Sequence, residues 1–401
     1  MVWYKNSWEG KGYKMSYLFP TYARWDVEPV SANGSYLTDK NGKTYLDFTS
    51  GIGVCNLGHT PQVVKEAVQD QLDKYWHVSN LFTMNEQEKA AEKLAKAAGL
   101  DAVFFANSGA EANEGAIKLA RKATGKTKII TFEKSFHGRT FATMSATGQD
   151  KIKHGFGPML EKFVYVPFND IESLKEELDN DVAAVMLEVI QGEGGIHVGN
   201  HSFLKEVESL CHQYGALLII DEIQTGIGRT GRPFAFQHFD LQPDIVTSAK
   251  GLGSGLPIGA VIGKSGLKEY FGPGSHGSTF GGNPLSIAAA NATMDVIFQE
   301  NFLQEVQQKG DYLQLELRKV VEANSAAKNV RGLGLMIGLE FEFPVAELLS
   351  ELRAEGVLAL SAGENVLRLL PPLTVSNEEI GKGMEIFKLC LSQVLITSNE
   401  S

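Results

Sequence analysis

Between residues 100 and 265 short, almost uninterrupted apolar runs alternate with helical patterns, and this rhythm constrains the chain more than any other feature. The runs are Ala102–Ala106, Lys128–Phe132, Phe163–Val166, Val182–Val189, Ala216–Ile220, Ile245–Thr247 and Ile258–Ile262. They are rich in Val, Ile and Phe and lack polar alternation, the pattern of strands buried on both faces. Helical patterns lie between them at Ala110–Lys122, Ile171–Glu177 and Ser202–Tyr214. The order predicts an α/β fold, a mainly parallel sheet covered by helices. Beyond about residue 295 the pattern changes. Phe302–Glu322 reads as a long amphipathic helix and Val330–Phe343 as one alternating strand. Val345–Glu355, Val357–Leu360, Val366–Leu370 and Asn377–Val394 complete a small α+β unit. The expected organisation is a large domain over 61–295, a small C-terminal domain over 296–401 and a turn-rich segment, 15–60, packed on the small domain. Residues 1–14 read as an upstream extension or cloning remnant without a function.

Composition narrows the function classes. The chain has 401 residues, 43% apolar and 21% charged, and a net charge of −11. No global field attracts nucleic acid or an anionic membrane. No apolar run reaches the roughly 18 residues of a membrane span. Cys55, Cys211 and Cys390 are too far apart for a Cys-rich zinc site and fit reduced thiols in a cytoplasmic protein. The histidines show no ligand spacing, so no metal is expected.

Three local features carry chemistry. Asn107-Ser108-Gly109-Ala110-Glu111 follows a strand and opens a helix. Ordinary capping explains it, and so does an anion site at the helix N-terminus. Asp221 ends the buried run Ala216–Ile220, at the edge where open α/β sheets bind ligands. A carboxylate there needs a partner, which a metal, a cationic ring nitrogen or a loop amide can supply. Lys250 sits just past another apolar run among small residues. A surface lysine is one reading; a partly desolvated amine able to form a Schiff base is the other. The glycines Gly251–Gly255 lack dinucleotide-binding GxGxxG spacing, which disfavours a dehydrogenase. Taken together, an anion-binding helix start, a strand-end Asp and a strand-end Lys are the parts pyridoxal phosphate requires.

From residue 16 to about 395 the chain resembles the class III (subgroup II) pyridoxal-phosphate-dependent aminotransferases. The resemblance is carried by LFPTYARW, HVSNLF, NSGAEANEGAIKLAR, SFHGRT, GFGPM, EVIQGEGG, LLIIDEIQTGIGRTG, SAKGLGSGLPIGAV, GSHGSTFGGNP, VRGLGLMIGLE and LRLLPPL, in that order. It implies the fold type I transferase architecture, with a seven-stranded, mainly parallel sheet. It implies that pyridoxal 5'-phosphate is held as a covalent aldimine to Lys250, which then moves the proton in catalysis. Asp221 would pair with the ring nitrogen, Gln224 would reach the ring oxygen, and Ile223 and Phe136 would cover the two ring faces. Ser108, Gly109 and Ala110 would hold the phosphate, with Glu222 among the cofactor-contacting residues. Thr279 would reach the phosphate of a neighbouring subunit and Ser278 its substrate, implying a homodimer with shared sites. Arg139 would grip one substrate carboxylate. Arg368 would take a second, and Glu193 would mask Arg368 when the substrate presents an amine instead.

Within the family the resemblance is strongest to the branch acting on N2-acetyl-L-ornithine. The implied reaction is ping-pong transfer of its terminal amino group to 2-oxoglutarate, a step of arginine biosynthesis. Trp76–Phe82 points the same way, and Asn80 there is either an acyl contact or a turn residue. Alternatives are ornithine, succinylornithine, a succinyl-diaminopimelate precursor or 4-aminobutyrate as donor. An aminomutase or epimerase is disfavoured by Arg139 and the Glu193–Arg368 pair. A non-enzymatic scaffold is disfavoured by intact Lys250, Asp221 and Gln224.

Overall fold

The computed structural model describes residues 17–400, with side chains described to residue 396. The reading of residues 1–14 therefore lies outside the described residues. A three-stranded meander comes first: β1 (Pro29–Asn33), β2 (Tyr36–Asp39) and β3 (Thr44–Asp47). The large sheet is then built from β4 (Ala102–Ala106), β5 (Lys128–Phe132), β6 (Phe163–Val166) and β7 (Val182–Leu187). After a short hairpin, β8 (Ile190–Gln191) and β9 (His197–Val198), it is completed by β10 (Leu217–Asp221), β11 (Ile245–Ser248) and β12 (Gly259–Gly263).

The seven strands lie in the order β4-β12-β11-β10-β7-β5-β6. Only β12 runs against its neighbours, pairing antiparallel with both β4 and β11. The apolar runs thus form a mainly parallel seven-stranded sheet, as the rhythm of the sequence predicts. Every residue of β7 is buried, which explains why that run shows no alternation. The helix Gly109–Thr124 packs on the sheet through Ala112, Ala116, Leu119 and Ala120. Ser108 caps it by accepting from Glu111 N, and Gly125 ends it at φ +68°.

The C-terminal part begins with the helix Glu300–Ala323. It buries Leu303, Val306, Gly310, Leu313, Leu317 and Val320, a stripe spaced three and four residues apart. Val330–Phe343 differs from the single strand expected. It folds as a hairpin of β13 (Ala327–Leu333) and β14 (Met336–Phe341), turning at Gly334 with φ +53°. The two-residue turn pairs Leu333 with Met336 and Gly332 with Ile337, so Leu333 and Ile337 lie on opposite faces and the apparent alternation does not run through the turn. Three strands follow: β15 (Val357–Leu358), β16 (Leu360–Ser361) and β17 (Val366–Leu369). The strand β15 pairs parallel with β3, so the N-terminal meander and the C-terminal unit share one sheet. Arg229, from the large-sheet side, is fully buried and donates to the carbonyls of Leu335 and Pro371, and at 2.8 Å to Asn56 Oδ1. That cross-tie fixes the C-terminal unit against the carboxyl edge of the large sheet. Among the described residues no helix is long and apolar enough to cross a membrane.

Candidate active site

The carboxyl ends of the parallel strands meet a cavity of about 450 Å³. Ser108, Gly109 and Ala110 line its floor at the helix N-terminus, and Asp221, Ile223 and Lys250 line its sheet side. Phe136, Arg139, Glu193 and Gln224 complete the wall. Residues spread over 142 positions of sequence thus converge because each follows a strand at the same sheet edge.

Asp221 is buried and fully engaged. Its Oδ2 accepts from Asn113 Nδ2 and from His137 Nδ1, both at 2.8 Å, and its Oδ1 accepts from Ile223 N at 3.0 Å. Asn113 is a hub: it also donates to the His137 carbonyl and accepts from Thr247 Oγ1. Thr247 stands opposite Asp221 in the β10–β11 register, so the two strand ends are tied through the helix that caps them. Burial alone pushes the His137 imidazole down, but the Asp221 carboxylate outweighs it and lifts it above its ordinary range.

Lys250 lies in the left-handed region at φ +44°. Such strain persists where the surroundings hold it, commonly at working sites. Burial pushes the Lys250 ammonium below its ordinary range, with Arg368 lowering it further and Glu193 and Asp221 opposing.

The phosphate end passes a steric test. A Cβ on Gly109 would fall 2.8 Å from Ile223 Cδ1 and 2.9 Å from its Cγ2, so only glycine lets the helix start and the Ile223 side chain sit together. Ser108 keeps a hydroxyl proton to donate, because its Oγ serves the cap as an acceptor. An anion-ready helix start, a strand-end carboxylate and a desolvated lysine around one cavity fit pyridoxal phosphate.

The second half of the site centres on an ion pair. Arg368 in β17 is buried and its Nη1 lies 2.5 Å from Glu193 Oε1. The same nitrogen donates to the Gly192 carbonyl at 3.0 Å and to Gln224 Oε1 at 3.2 Å. Gln224 Nε2 in turn donates to Glu193 Oε1. Burial pushes the Glu193 carboxyl up, but the Arg368 guanidinium outweighs that and holds it below the usual carboxylate range. The Gln224 amide therefore bonds both partners of the ion pair. Arg139 is exposed at the cavity mouth, its guanidinium 5.8 Å from the Phe136 ring centroid.

Three expected residues lie elsewhere. Ser278 and Thr279 line a neighbouring pocket of about 380 Å³, whose wall shares Asn107 with the first cavity. Ser278 Oγ accepts from Asn107 Nδ2 and Gly281 N. Glu222, expected among the cofactor-contacting residues, does not line the cavity. It is fully buried and accepts from the Ala235 and Phe236 amides and from Thr225 Oγ1. Its neighbour Asp221 takes the cavity side of the strand end, and adjacent side chains point to opposite faces. Asn80 serves a turn: it donates to the Ser278 and Gly281 carbonyls and accepts from Gln87. Sequence reading missed Asn113 and Glu188 and gave His137 no role. Asn113 falls on the buried face of the helix opened by Ser108, one signal that could have found it.

Comparison with known proteins agrees with this geometry. The family model described as aminotransferase class-III matches residues 21–391. The acetylornithine aminotransferase of Bacillus subtilis is 59% identical over 94% of this chain and 98% of its own length. The protein of that name from Listeria monocytogenes is 56% identical over 96% of this chain and all of its own length. The crystal structure of ornithine aminotransferase from Toxoplasma gondii superposes with a TM-score of 0.91 at 32% identity, covering 96% of this chain and 94% of that one. N-acetylornithine aminotransferase from Stenotrophomonas maltophilia gives 0.82 at 35% identity, covering 94% and 98%.

Proposed function

The chain belongs to the class-III aminotransferases, and from that membership we propose how its site works. It is a pyridoxal-phosphate-dependent enzyme that transfers the terminal amino group of N2-acetyl-L-ornithine to 2-oxoglutarate. The products are N-acetyl-L-glutamate 5-semialdehyde and L-glutamate, in arginine biosynthesis. The observation that carries the reading is that Glu193, Asp221 and Lys250 line one cavity, with the buried Arg368 paired to Glu193 behind that wall.

Bound pyridoxal phosphate supplies an electron-accepting ring, which lets the amine-bearing carbon of the substrate lose a proton. Lys250 would hold the cofactor aldehyde and, once released, would be the base that takes and returns the proton, a task suited to an amine whose proton affinity burial has lowered. Asp221 offers its carboxylate to the ring nitrogen, oriented by Asn113 and His137. Phe136 and Ile223 cover the two ring faces. Ser108, Gly109 and Ala110 donate to the phosphate from the helix N-terminus. Gln224 acts at the gate formed by Arg368 and Glu193 and at the ring oxygen as the gate moves.

The gate serves two substrates of different charge. With Glu193 on Arg368, the terminal amine of the donor does not meet the bare Arg368 guanidinium. With Glu193 withdrawn, Arg368 takes the second carboxylate of 2-oxoglutarate, a bidentate match for guanidinium. Arg139 grips the carboxylate that both substrates share. One pocket thereby alternates between partners.

The protein works as a homodimer in the cytoplasm. Trp76, Phe82 and Phe280 are exposed and Leu81 is 91% exposed, near the pocket lined by Ser278 and Thr279. An apolar patch of that kind favours burial against a second copy, which would bring Thr279 and Ser278 to the partner's cavity. The large domain would span 61–295 and the small one 296–401, with 15–60 joined to the latter.

The test is a half-reaction spectrum of the holoenzyme with a single amine and no keto acid. Loss of the cofactor's visible absorption should be fastest with N2-acetyl-L-ornithine and reversed by 2-oxoglutarate. A faster response to ornithine, succinylornithine or 4-aminobutyrate would move the donor assignment. No response to any amine would sink the aminotransferase reading.

A further inference from the structure

Glu188 follows β7 at the carboxyl edge of the large sheet, lines the active cavity, and has no part in the steps above. Its two oxygens are divided between two segments. Oε2 accepts from Phe136 N at 3.0 Å and Oε1 accepts from Gly192 N at 3.2 Å. Phe136 is the aromatic wall, and Gly192 leads into Glu193, the movable half of the gate. The carbonyl of Gly192 accepts from Arg368 Nη1, so this residue is gripped at its nitrogen by Glu188 and at its oxygen by Arg368. It has little room to shift: a Cβ there would fall 2.8 Å from Gln224 Cδ and 3.0 Å from Met336 Cε.

We propose that Glu188 is a positioning residue that clips the Gly192–Glu193 segment in the form that masks Arg368, and so sets the balance between the amine and dicarboxylate substrates. The inference rests on the gate proposed above. A carboxylate suits the task because both of its oxygens accept and neither must donate. Glutamine, of nearly the same shape, would turn an amide N–H toward one of the two backbone N–H groups and lose that bond. The charged groups around Glu188 are His137, Asp221 and Lys250. Burial, opposed by His137 and reinforced by Asp221, brings the Glu188 carboxyl to about 7.

The experiment compares the two half-reactions in Glu188→Gln, Glu193→Ala and the double variant, each as holoenzyme. In Glu188→Gln the rate constant for N2-acetyl-L-ornithine should fall about tenfold, the effect of one lost hydrogen bond to a charged group. The KM for 2-oxoglutarate should stay unchanged or fall, because the mask is looser. Adding Glu188→Gln to Glu193→Ala should change this split no further. Equal losses in both half-reactions of Glu188→Gln, beside a clear split in Glu193→Ala, would overturn the positioning role and leave the gate standing. No split in Glu193→Ala would overturn the gate and the inference with it. Should Glu188→Gln not fold, Glu188→Asp keeps two accepting oxygens but shortens the reach to the Phe136 and Gly192 amides. The same split would support the clip, and equal losses would overturn it.

Discussion

His137 Nδ1 lies 2.8 Å from Asp221 Oδ2, with both side chains withdrawn from solvent and Asn113 on the same oxygen. The carboxylate is therefore oriented from behind before any ligand reaches its front. Asp221 raises the proton affinity of the buried His137 imidazole against the opposing effect of burial. His137→Gln replaces a charge-assisted contact by a neutral one. It should lower kcat about tenfold to a hundredfold and leave the amine KM little changed. Asp221→Asn should bind the cofactor yet lose about 10²–10³-fold in kcat. Steady-state kinetics on both variants checks this, and full activity in Asp221→Asn would refute the electron-sink role.

Gly109→Ala tests the phosphate end. The added methyl would press on the branched Ile223 side chain at three atoms between 2.8 and 3.1 Å, so the helix start or Ile223 must move. Either movement disturbs the phosphate donors and one ring face together. Cofactor affinity should fall about tenfold in an equilibrium titration, a loss of the size of one disturbed hydrogen bond to a charged group. Unchanged affinity would mean that the helix start is a cap and nothing more.

The sheet was legible in the sequence because buried parallel strands write themselves as apolar runs, and Lys250 and Asp221 were legible because each closes one. Glu188 was hidden for the same reason. It follows the apolar β7 directly and looks like its polar end, while its meaning lies in two amides, one 52 residues away. Asn113 and Asp221 are 108 residues apart, and no local pattern announces that contact. Glu222 adjoins Asp221 in sequence, whereas strand geometry sends the two carboxylates opposite ways, and no local pattern tells which of them faces the cavity. The β13–β14 hairpin was read as one strand because periodicity reports which face is buried and carries no record of where the chain reverses.

Lys250→Ala removes the amine that both holds the cofactor and moves the proton. Turnover should vanish and the cofactor should dialyse away, with the fold retained by far-ultraviolet circular dichroism. An undiminished rate would refute the assignment. Wild-type activity should climb with pH through a value below that of a free lysine, since burial favours the uncharged amine.

The last prediction concerns stability and uses a pair outside the chemistry. Asp47 Oδ1 accepts from Thr49 N, Thr49 Oγ1 and Ser50 N, while Oδ2 meets His59 at 2.8 Å. The carboxylate thereby pins the turn that carries Val54 into the cavity wall. The contact with Asp47, helped by Cys55 and opposed by burial, raises the His59 imidazole from 6.5 to about 10. Burial pushes the Asp47 carboxyl up, but His59 and Thr49 outweigh it and leave it lowered. A raised imidazole contributes stability in full below its unfolded value and loses it as pH climbs through the folded one. The contribution of His59 should therefore shrink between about pH 6.5 and about 10. The lowered carboxyl acts at the other end, and its contribution fades as acid protonates it. Thermal midpoints of the wild type and His59→Gln, measured from pH 6 to 10, should converge as pH rises. Curves that stay parallel over that range would show that His59 packs without pairing.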